Sequence, residues 1–378
     1  MTTTINNEHK KLNVPNLRFK EFEGEWEKCK LSEICTFFSG GTPSSSNKDF
    51  YGGNIAFIRS GELHADSTEL FITQAGFDSS SAKMVEIGDL LLAMYGATSG
   101  DIAVSKIKGA INQAILCIRT KQNKKFIESV WNKHVSKNLR KYLQGGQGNL
   151  SADIVKGISF FFPTLKEQEK IANLVSLLDE RIATQNKIIE DLKKLKSAIA
   201  ESLFKTIKGD IIALSEICDI VKGKQINGEF LSESGRYYVM NGGTEPSGFY
   251  DNYNVEANTI SISEGGNSCG YVQFNTAPFW SGGHCYTIQE ITNNVENMYL
   301  YHYLKSKEDT IMQLRIGSGL PNIQKKDLAK FKVIVPAIER QKTISVFLSL
   351  LERKAEIETE ILIAMQSEKQ YLLRQMFI

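Results

Sequence analysis

The apolar residues of this chain follow two alternating patterns. From residue 17 to about residue 162, short apolar runs such as 55–58, 89–95 and 114–118 are separated by Gly, Ser and Asn. Runs of this length with turn residues at both ends predict β-strands. Between 124 and 143 the apolar spacing becomes that of an amphipathic helix. The first pattern therefore predicts a β-rich globular block that contains one helix.

Residues 211 to about 335 repeat this pattern with shorter loops. The predicted strands fall at 236–240, 259–263, 271–274 and 285–288. A single helix is predicted after them, at 299–315. We expect this second block to keep the elements of the first and to have lost loop residues, because loops contribute little to a core.

Each block is followed by a long segment whose apolar residues have helical spacing. Pro163 and Pro336 stand just before these segments, and neither Gly nor Pro occurs in 164–208 or 337–378. Proline at the start and the absence of helix breakers predict one continuous helix in each segment. The predicted helix–helix contact residues are Ile171, Val175, Leu178, Ile182, Ile189, Leu192, Ile199, Leu203, Ile344, Leu348, Leu351, Leu362, Met365, Leu372 and Met376.

Polar residues interrupt the two apolar stripes at the same two places. They are Gln185 and Lys196 in the first helix, and Glu358 and Lys369 in the second. Polar residues in such a stripe set the register of a coiled coil, so we expect the helices to face each other. The alternative is that each helix packs separately on its own block. A 40-residue helix spans about 60 Å, so the pair is predicted to act as a spacer.

The two halves of the chain are copies of each other. Gln168 recurs 173 positions later as Gln341, and Leu-Ser-Glu-Ile-Cys occurs at 31–35 and again at 214–218. Two copies are too few for a solenoid. If a twofold relates the halves, the long helices must run antiparallel. We therefore predict an α+β protein with an internal pseudo-twofold repeat, in which two β-rich domains are joined by two long antiparallel coiled-coil helices. The predicted boundaries are 1–162 and 209–335 for the domains, and 163–208 and 336–378 for the helices.

Bulk composition limits the class of protein. The 378-residue chain is 42% hydrophobic and 23% charged, which is typical of soluble globular domains. A net charge of +2 excludes a polycation that coats nucleic acid indiscriminately. No apolar run approaches membrane-spanning length, and the start of the chain lacks the apolar core of a signal peptide. We therefore expect a cytoplasmic protein without membrane contact.

Motifs of common catalytic sites do not occur. The seven isolated prolines exclude the Asn/Asp-Pro-Pro-Tyr motif of amino-methyltransferases, and the Gly-Lys step at 223–224 is followed by Gln225, so no phosphate-binding P-loop is present. The six cysteines form no Cys-x-x-Cys pair. Cys35 and Cys218, which share one place in the repeat, are predicted to be small buried apolar residues. We expect no catalytic residue, no metal ligand and no cofactor bound by this chain.

Three kinds of polar loop that contain glycine recur in both halves. One follows the first strand of a block, one has two glycines four residues apart, and one precedes the last strand. Glycine lets the backbone approach a surface closely, and Asn, Gln, Ser and Thr offer donors and acceptors to base edges or phosphates. Any single loop could also be an ordinary turn of a β-rich fold. The candidate DNA-contacting residues are Ser39, Thr42, Ser44, Lys48, Arg59, Thr98, Ser99, Gln144, Gln147, Asn149, Lys222, Lys224, Gln225, Asn241, Thr244, Asn267, Ser268, Ser318 and Asn322.

Three features together resemble the specificity (S) subunit of type I restriction–modification systems over essentially the whole chain. The first is Val-Pro-Asn-Leu-Arg-Phe-Lys-Glu-Phe-Glu-Gly-Glu-Trp at 14–26. The second is Leu-Ser-Glu-Ile-Cys at the entrance of each block. The third is Phe-Pro-Thr-Leu-Lys-Glu-Gln at 162–168 with its helical continuation, repeated at 335–341. In the second copy Arg340 replaces the Glu before the glutamine, which departs mildly from the pattern.

The resemblance implies two target-recognition domains, each of which binds one half of a split double-stranded DNA sequence. It implies that the long helices hold these domains at a fixed separation. It also implies a non-catalytic scaffold for two modification subunits, which bind S-adenosylmethionine and methylate adenine N6. Restriction subunits, with ATP- and Mg-dependent translocation and nuclease activity, would join that core.

Other classes of function are compatible with the residues. A stand-alone DNA-binding regulator would have the same two domains without modification partners. A hydrolase around His284 and Cys285 is less favoured, because adjacent residues on a strand point to opposite faces. A purely structural dimeric scaffold is disfavoured because the polar loop residues differ between the two copies while the frame repeats.

Overall fold

The computed structural model of the protein describes residues 13–142, 150–317 and 321–378, without the side chains of 135–142. The chain forms two compact units, residues 1–184 with 362–378, and residues 185–361. The two β-rich domains lie one in each unit, and each long helix crosses from one unit to the other.

The first unit begins with a small β-rich domain. Its strands are β1 (Glu27–Lys30), β2 (Cys35–Ser39), β3 (Tyr51–Ile58), β4 (Phe71–Ile72), β5 (Lys83–Val85), β6 (Leu90–Ala93), β7 (Ile102–Val104), β8 (Gly109–Ile111), β9 (Ile115–Thr120) and β10 (Ser159–Phe162). Its helices are α1 (Leu31–Ile34), α2 (Gln74–Asp78), α3 (Lys124–Tyr142), α4 (Ala152–Gly157) and the first part of α5 (Leu165–Thr206).

Two four-stranded sheets form the core of this domain. Their strand orders are β2-β9-β6-β7 and β4-β3-β8-β5, and β1 pairs separately with β10. Leu90 and Leu92 of β6 pack in the cluster that includes α3, whereas Leu91 and Ala93 pack in a second cluster with residues of the other sheet. Alternate residues of a strand point to opposite faces, so β6 is apolar on both. This explains its continuous apolar run.

The second unit repeats this arrangement. Its strands are β11 (Asp210–Ala213), β12 (Asp219–Lys222), β13 (Tyr237–Met240), β14 (Phe249–Tyr250), β15 (Thr259–Ser263), β16 (Val272–Asn275), β17 (Trp280–Ser281), β18 (Cys285–Gln289) and β19 (Lys332–Val335). Its helices are α6 (Leu214–Ile217), α7 (Asn297–Ser306), α8 (Glu308–Met312), α9 (Lys325–Ala329) and the first part of α10 (Ile338–Met376).

The main sheet is common to both domains, but the second sheet is not. The order β12-β18-β15-β16 matches β2-β9-β6-β7, whereas the other sheet has only the order β14-β13-β17. Residues 241–258, all of which are described, contain no helix like α2, and the counterpart of β5 is reduced to an antiparallel bridge between Val255 and Phe279. The expectation that the second copy lost only loop residues was therefore wrong.

The helix predicted at 299–315 is divided into α7 and α8. Lys307 has φ −108° and ψ 15°, which is not helical, and it separates the two. The Glu308 carboxylate accepts hydrogen bonds from the backbone N–H of Val272 at 2.8 Å and from Lys305 Nζ at 2.6 Å. The prediction of one continuous helix was wrong because Glu308 ties the chain to β16, a tertiary contact that helical spacing does not report.

The repeated Leu-Ser-Glu-Ile-Cys segment makes the same structure in both domains. The carboxylates of Glu33 and Glu216 accept the N–H three residues earlier, at 2.8 and 3.2 Å, and so begin the short helices α1 and α6. Cys35 and Cys218 are buried, as predicted. Burial raises the pKa of the Cys218 thiol to about 12. The motif therefore provides a domain entrance rather than a reactive site.

The long helices run antiparallel within the first unit. Ile171 packs in the same cluster as Met376, and further along α5 Asp179 forms an ion pair with Lys369. Residues further along α5 therefore contact residues that come earlier in α10, as in an antiparallel pair of helices.

The second unit has the same reversed order. Gln185 Nε2 donates to the Glu358 carbonyl at 2.9 Å and to its carboxylate at 2.6 Å, and Lys196 Nζ lies 2.7 Å from Glu352 Oε1. The predicted fold class is confirmed: two β-rich α+β domains and two long antiparallel helices.

Candidate nucleic-acid interface

The predicted helix–helix contact residues lie along one side of α5 and α10. All fifteen are buried or half-buried. Other large apolar residues of the same helices are exposed, and Leu177 and Leu350 are both 64% exposed. Part of each stripe is buried on a domain, since Ile171 and Val175 pack in the core of the first domain and Ile344 and Leu348 in that of the second. Further apolar residues of both helices remain accessible.

The lysines that interrupt the stripes pair with acidic residues at equivalent places. Lys196 pairs with Glu352 in the second unit, and Lys369 pairs with Asp179 in the first. Both members of one pair lie 173 positions from the members of the other. Burial alone would raise the pKa of Asp179, but hydrogen bonds from Lys369 and Lys125 lower it below its usual value. Moving either helix by one turn would separate these charges, so the pairs fix the register.

A buried glutamine connects each long helix to its recognition domain. Gln168 accepts a hydrogen bond from Asn123 N at 3.1 Å and donates to Pro163 O at 2.9 Å. Gln341 accepts one from Glu296 N at 2.8 Å and donates to Pro336 O at the same distance. Because Asn123 and Glu296 stand at the starts of α3 and α7, each glutamine fixes the domain helix against the start of the long helix.

In the first domain the candidate loops meet at the end of β6. Ser99 Oγ donates to Met94 O at 3.0 Å, and Met94 N donates to Ala114 O at 2.8 Å. Thr42 Oγ1 donates to Gln113 Oε1 at 2.6 Å. The structure therefore brings Thr42 and Ser99 to one end of the main sheet. Ser39 ends β2 at this place, and Thr98 lies in the same turn as Ser99.

The remaining candidates of the first domain lie on neighbouring segments. Arg59 is exposed and forms an ion pair with Glu62 at 2.8 Å. Ser44 Oγ lies 2.7 Å from Ser46 Oγ, and Lys48 is exposed in a 3-10 turn. These side chains are accessible, but they are not joined to Ser99 by these contacts.

In the second domain the candidate loops converge on residues 264–265 and 282–284. Lys222 Nζ donates to Glu264 Oε1 at 2.5 Å, and His284 N donates to Asn241 Oδ1 at 3.1 Å. Asn322 forms a backbone bridge with Gly265. Gln225 lies close to Gly283, where an added Cβ would stand 2.5 Å from its Oε1.

Other candidates of the second domain lie at the rim or outside the described part of the chain. The carbonyl of Lys224 accepts a hydrogen bond from Trp280 Nε1 at 2.9 Å, and Thr244 and Asn267 are exposed. The carbonyl of Ser268 accepts one from Tyr271 N at 2.9 Å, within a turn. Gln144, Gln147, Asn149 and Ser318 lie outside the described residues.

In both domains, the backbone conformation explains why two glycines stand four residues apart. Gly96 and Gly266 both have φ of +78°, and Gly100 and Gly270 have φ of +90° and +95°. This left-handed region is costly for residues with a Cβ. The two loops therefore place their glycines in the same backbone conformation, while their side chains differ.

Sequence reasoning missed Glu264, which contacts several of the loops in the second domain. It directly follows the apolar strand β15 and is only 8% exposed. Its backbone contacts match those of Met94, since Glu264 N donates to His284 O as Met94 N donates to Ala114 O. Alignment of the two copies at this point, where a charged residue replaces an apolar one, could have found it.

The geometry of Cys285 does not support a nucleophile. The side chain is buried, and burial raises the pKa of the thiol to about 11. A thiol that stays protonated at neutral pH is a poor nucleophile. The hydrolase alternative therefore has no support at this position.

Within the described residues, no group of three or more His, Cys, Asp or Glu side chains is placed to hold a metal ion. No helix in the same part of the chain is both long and apolar enough to cross a membrane.

The fold and the loops define a duplicated recognition protein, in which one frame carries two different sets of polar side chains. Comparison with known families agrees. The family described as "Type I restriction modification DNA specificity domain" matches residues 23–194 and again residues 209–366. The chain belongs to this family. It is a type I restriction–modification specificity subunit with two recognition domains, which is a non-catalytic component of its complex.

Individual relatives show the extent of the similarity. A type I restriction enzyme specificity subunit of Methanocaldococcus jannaschii is 25% identical over 403 aligned positions, covering 93% of this chain and 92% of the relative. A type I specificity subunit of Mycoplasma pneumoniae is 32% identical over 151 residues, covering 39% of this chain and 40% of the relative. The crystal structure of a type I S subunit from M. genitalium has a TM-score of 0.67 at 19% identity, covering 97% of this chain and 99% of that one. This last similarity concerns the fold.

Proposed function

We propose that this chain gives a type I restriction–modification enzyme its sequence specificity by binding a bipartite DNA target, with one half-site per domain. The observation that carries the proposal is the contrast within the repeat. The main sheet, the buried glutamines and the glycine turns are common to both domains, whereas the polar side chains on equivalent loops differ. A shared frame with different contact residues is what two different half-sites require.

The contact residues are proposed to be those on the converging loops. In the first domain these are Ser39, Thr42, Thr98 and Ser99, with Arg59 nearby. In the second they are the polar residues around 264–265 and 282–284, namely Lys222, Gln225, Asn241 and Asn322. Hydroxyl, amide and ammonium groups of this kind can contact base edges and phosphates.

The long helices are proposed to set the length of the unread DNA between the half-sites. A helix of the length of α5, with 42 residues, extends about 60 Å. The ion pairs of Lys196 and Lys369 and the hydrogen bonds of Gln185 favour one register of the two helices. We propose the boundaries 163–208 and 336–378 for this spacer, with domains at 1–162 and 209–335.

Two modification subunits are proposed to dock on these helices. Leu177 and Leu350 are equally exposed and occupy equivalent positions, and so do Ile188 and Ile361, at 40% and 38%. Exposed apolar residues repeated in this way suit two copies of one partner. In this proposal S-adenosylmethionine, ATP and Mg²⁺ are bound by the modification and restriction subunits, and the assembly works in the cytoplasm.

The test is a domain exchange in a host that carries the complete system. Residues 211–335 are replaced by the equivalent block of a relative, and genomic N6-methyladenine is mapped by single-molecule sequencing. We expect the motif to change in one half-site and to keep the other half-site and the spacer length. A change in both half-sites would contradict the assignment of one half-site to each domain.

Co-purification belongs to the same experiment. A tag on this chain should recover the modification subunit from wild-type cells and from cells with the exchanged block, because the block excludes both long helices. A stand-alone regulator would recover no modification subunit and would give no methylated motif.

A further inference from the structure

A polar cluster in the second domain is centred on one buried carboxylate. Glu264 Oε1 accepts hydrogen bonds from Lys222 Nζ at 2.5 Å and from the Tyr286 hydroxyl at 3.2 Å. Glu264 Oε2 is buried and accepts no hydrogen bond from the described residues, and His284 Nδ1 lies 3.6 Å from it. Burial, followed by the charge of Glu264, raises the pKa of the Tyr286 hydroxyl to about 12, so it remains a donor.

The first domain has apolar or small residues at all four equivalent positions. In the main sheets Ser39 pairs with Leu116, and Lys222 pairs with Tyr286. The backbone N–H of the residue after each central strand donates to Ala114 or to His284. The counterparts of Lys222, Glu264, His284 and Tyr286 are therefore Ser39, Met94, Ala114 and Leu116.

Stability does not account for the cluster. A buried carboxylate is costly even when it is paired, and replacing a buried ion pair by packed apolar residues is often neutral or stabilising. The first domain shows that this frame folds with Met94 and Leu116 at the same places, where both are buried. A buried carboxylate that is costly and occurs in only one of the two copies suggests a role in what that copy recognises.

The cluster presents one ammonium group and one imidazole at the surface. The Lys222 side chain is 52% exposed and the His284 side chain is 62% exposed, while Glu264 lies beneath them. The hydrogen bond to the carboxylate restricts the position of the Lys222 side chain. A preorganised lysine loses less conformational entropy when it binds a ligand.

We infer that Lys222 donates to acceptor atoms on a base edge of the second half-site, with His284 beside it, and that Glu264 is the positioning residue of Lys222. The major-groove edge that offers two acceptors is that of guanine, with O6 and N7. The inference rests on the proposed function and identifies one element of its specificity, a guanine read by the second domain.

Charge favours a base edge over a phosphate. Glu264 offsets the charge of Lys222, so the pair releases little counterion, and a phosphate placed here would be repelled by the nearby carboxylate. A neutral acceptor such as guanine O6 has no such penalty, and Lys222 keeps donors beyond the one given to Glu264.

The test transfers the first domain's residues into the second. The variant Lys222→Ser, Glu264→Met, His284→Ala, Tyr286→Leu is compared with the wild type in the complete system, after methylome sequencing has given the wild-type motif. Duplexes with 7-deazaguanine at single positions of the second half-site then probe binding by the purified complex. We expect the wild type to lose roughly 5- to 150-fold in affinity at one such position, and the variant to be insensitive there.

The salt dependence of binding separates the two kinds of contact. We expect the slope of log K against log salt to be the same for wild type and variant. A slope reduced by about 0.9, with equal loss of affinity on all sequences, would mean a phosphate contact and would overturn the inference. A second half-site without guanine, or equal deazaguanine sensitivity of the wild type and the variant, would also overturn it. If the wild type gave no bipartite motif, the proposed function itself would fail.

A milder variant covers the case in which the fourfold variant does not fold. Glu264→Gln keeps the side-chain shape and an acceptor for Lys222 while it removes the charge. If Glu264 positions Lys222, we expect the discrimination between guanine and 7-deazaguanine at the same position to fall at least several-fold. The affinity for DNA without the motif should stay constant. Unchanged discrimination in a folded Glu264→Gln complex would contradict the positioning role.

Discussion

The two recognition domains share their frame and differ at its edges. The same four-stranded order, the same buried glutamine and the same left-handed glycines occur in both. The second domain lacks a counterpart of α2, keeps β5 only as the bridge between Val255 and Phe279, and places Glu264 where the first domain has Met94. The conserved parts hold the domain to its helix, and the divergent parts lie where the candidate loops converge.

The two copies also differ at the position that precedes the buried glutamine. Glu167 and Arg340 are equivalent residues next to the buried glutamines. Glu167 is 1% exposed and accepts two hydrogen bonds from Arg18, each of 2.8 Å, whereas Arg340 is exposed. The first domain therefore uses this position to hold the segment 14–26, which has no copy in the second half. The departure of Arg340 from the motif has a structural reason.

The largest expected effect is the loss of Arg18. Arg18→Met leaves the carboxylate of Glu167 buried, and among the described side chains Trp26 Nε1, at 3.3 Å, is then its one remaining donor. Breaking a buried pair in this way costs about 3–5 kcal/mol. We expect hydrogen exchange to accelerate in α3 of the first domain and to remain unchanged in α7.

The matched control for this prediction is Arg340→Met. Because Arg340 is exposed, the free energy of unfolding of the second domain should change by no more than about 0.5 kcal/mol. Equal destabilisation by the two variants would show that the loss of stability does not come from breaking the buried ion pair of Arg18 and Glu167.

A smaller expected effect is a pH dependence of stability that only the second domain should show. His302 is buried on α7, its Nε2 lies 2.9 Å from Ser349 Oγ, and its counterpart in α3 is Ser129. Burial, together with the nearby charge of Lys196, lowers the pKa of His302 from 6.5 to about 3. The unfolded state therefore takes up a proton first. Stability from the neutral imidazole is complete above pH 6.5 and decreases as the pH falls from 6.5 towards 3.

We expect the second domain to lose roughly 2 kcal/mol between pH 6.5 and 5, at about 1.4 kcal/mol per pH unit. Urea unfolding monitored by hydrogen exchange in α7 measures this loss. His302→Gln, which cannot be protonated in this range, should flatten the dependence for the second domain only. A wild type and a variant with the same pH dependence would contradict the assignment to His302.

The sequence predicted the repeat and its long helices because their signals are local. The spacing of Ile171 and Val175, and the absence of Gly and Pro after Pro163, are visible without tertiary structure. The break at Lys307 was not predicted, since it depends on a contact from Glu308 to β16. The absence of α2 from the second copy was also missed, because a five-residue helix is too short to show a clear helical spacing.

The candidate site was predicted only in outline. Glycine turns and polar loops indicated which segments lie together, and Thr42, Ser99, Lys222 and Asn241 do reach one end of their sheets. Glu264 was missed because it follows a buried strand, where a single sequence gives no reason to expect a functional carboxylate. The matching backbone hydrogen bonds of Glu264 and Met94 show that the two residues are equivalent, and this makes the exchange of an apolar residue for a charged one apparent.

The smallest expected effect tests whether the repeated ion pairs of the long helices are equivalent. Among the described residues, Asp179 forms ion pairs with Lys369 and with Lys125, the latter at 2.9 Å, whereas Glu352 forms one with Lys196 and accepts a hydrogen bond from the Tyr301 hydroxyl at 3.2 Å. Asp179→Asn should therefore destabilise the first unit more than Glu352→Gln destabilises the second. Double-mutant cycles should give a coupling of about 0.5–1 kcal/mol for each lysine pair, since all four side chains are partly exposed.

The salt dependence of these couplings completes the comparison. Screening at about 1 M salt should reduce both, because neither pair is fully buried. The pKa of Asp179 is lowered in the folded state, so its contribution is present above its unfolded pKa of about 3.8 and is lost as the pH falls through the lower folded value. If one coupling were absent while the other persisted, the pairs would not be equivalent determinants of register, and the shared interruptions of the two apolar stripes would need a reason specific to each unit.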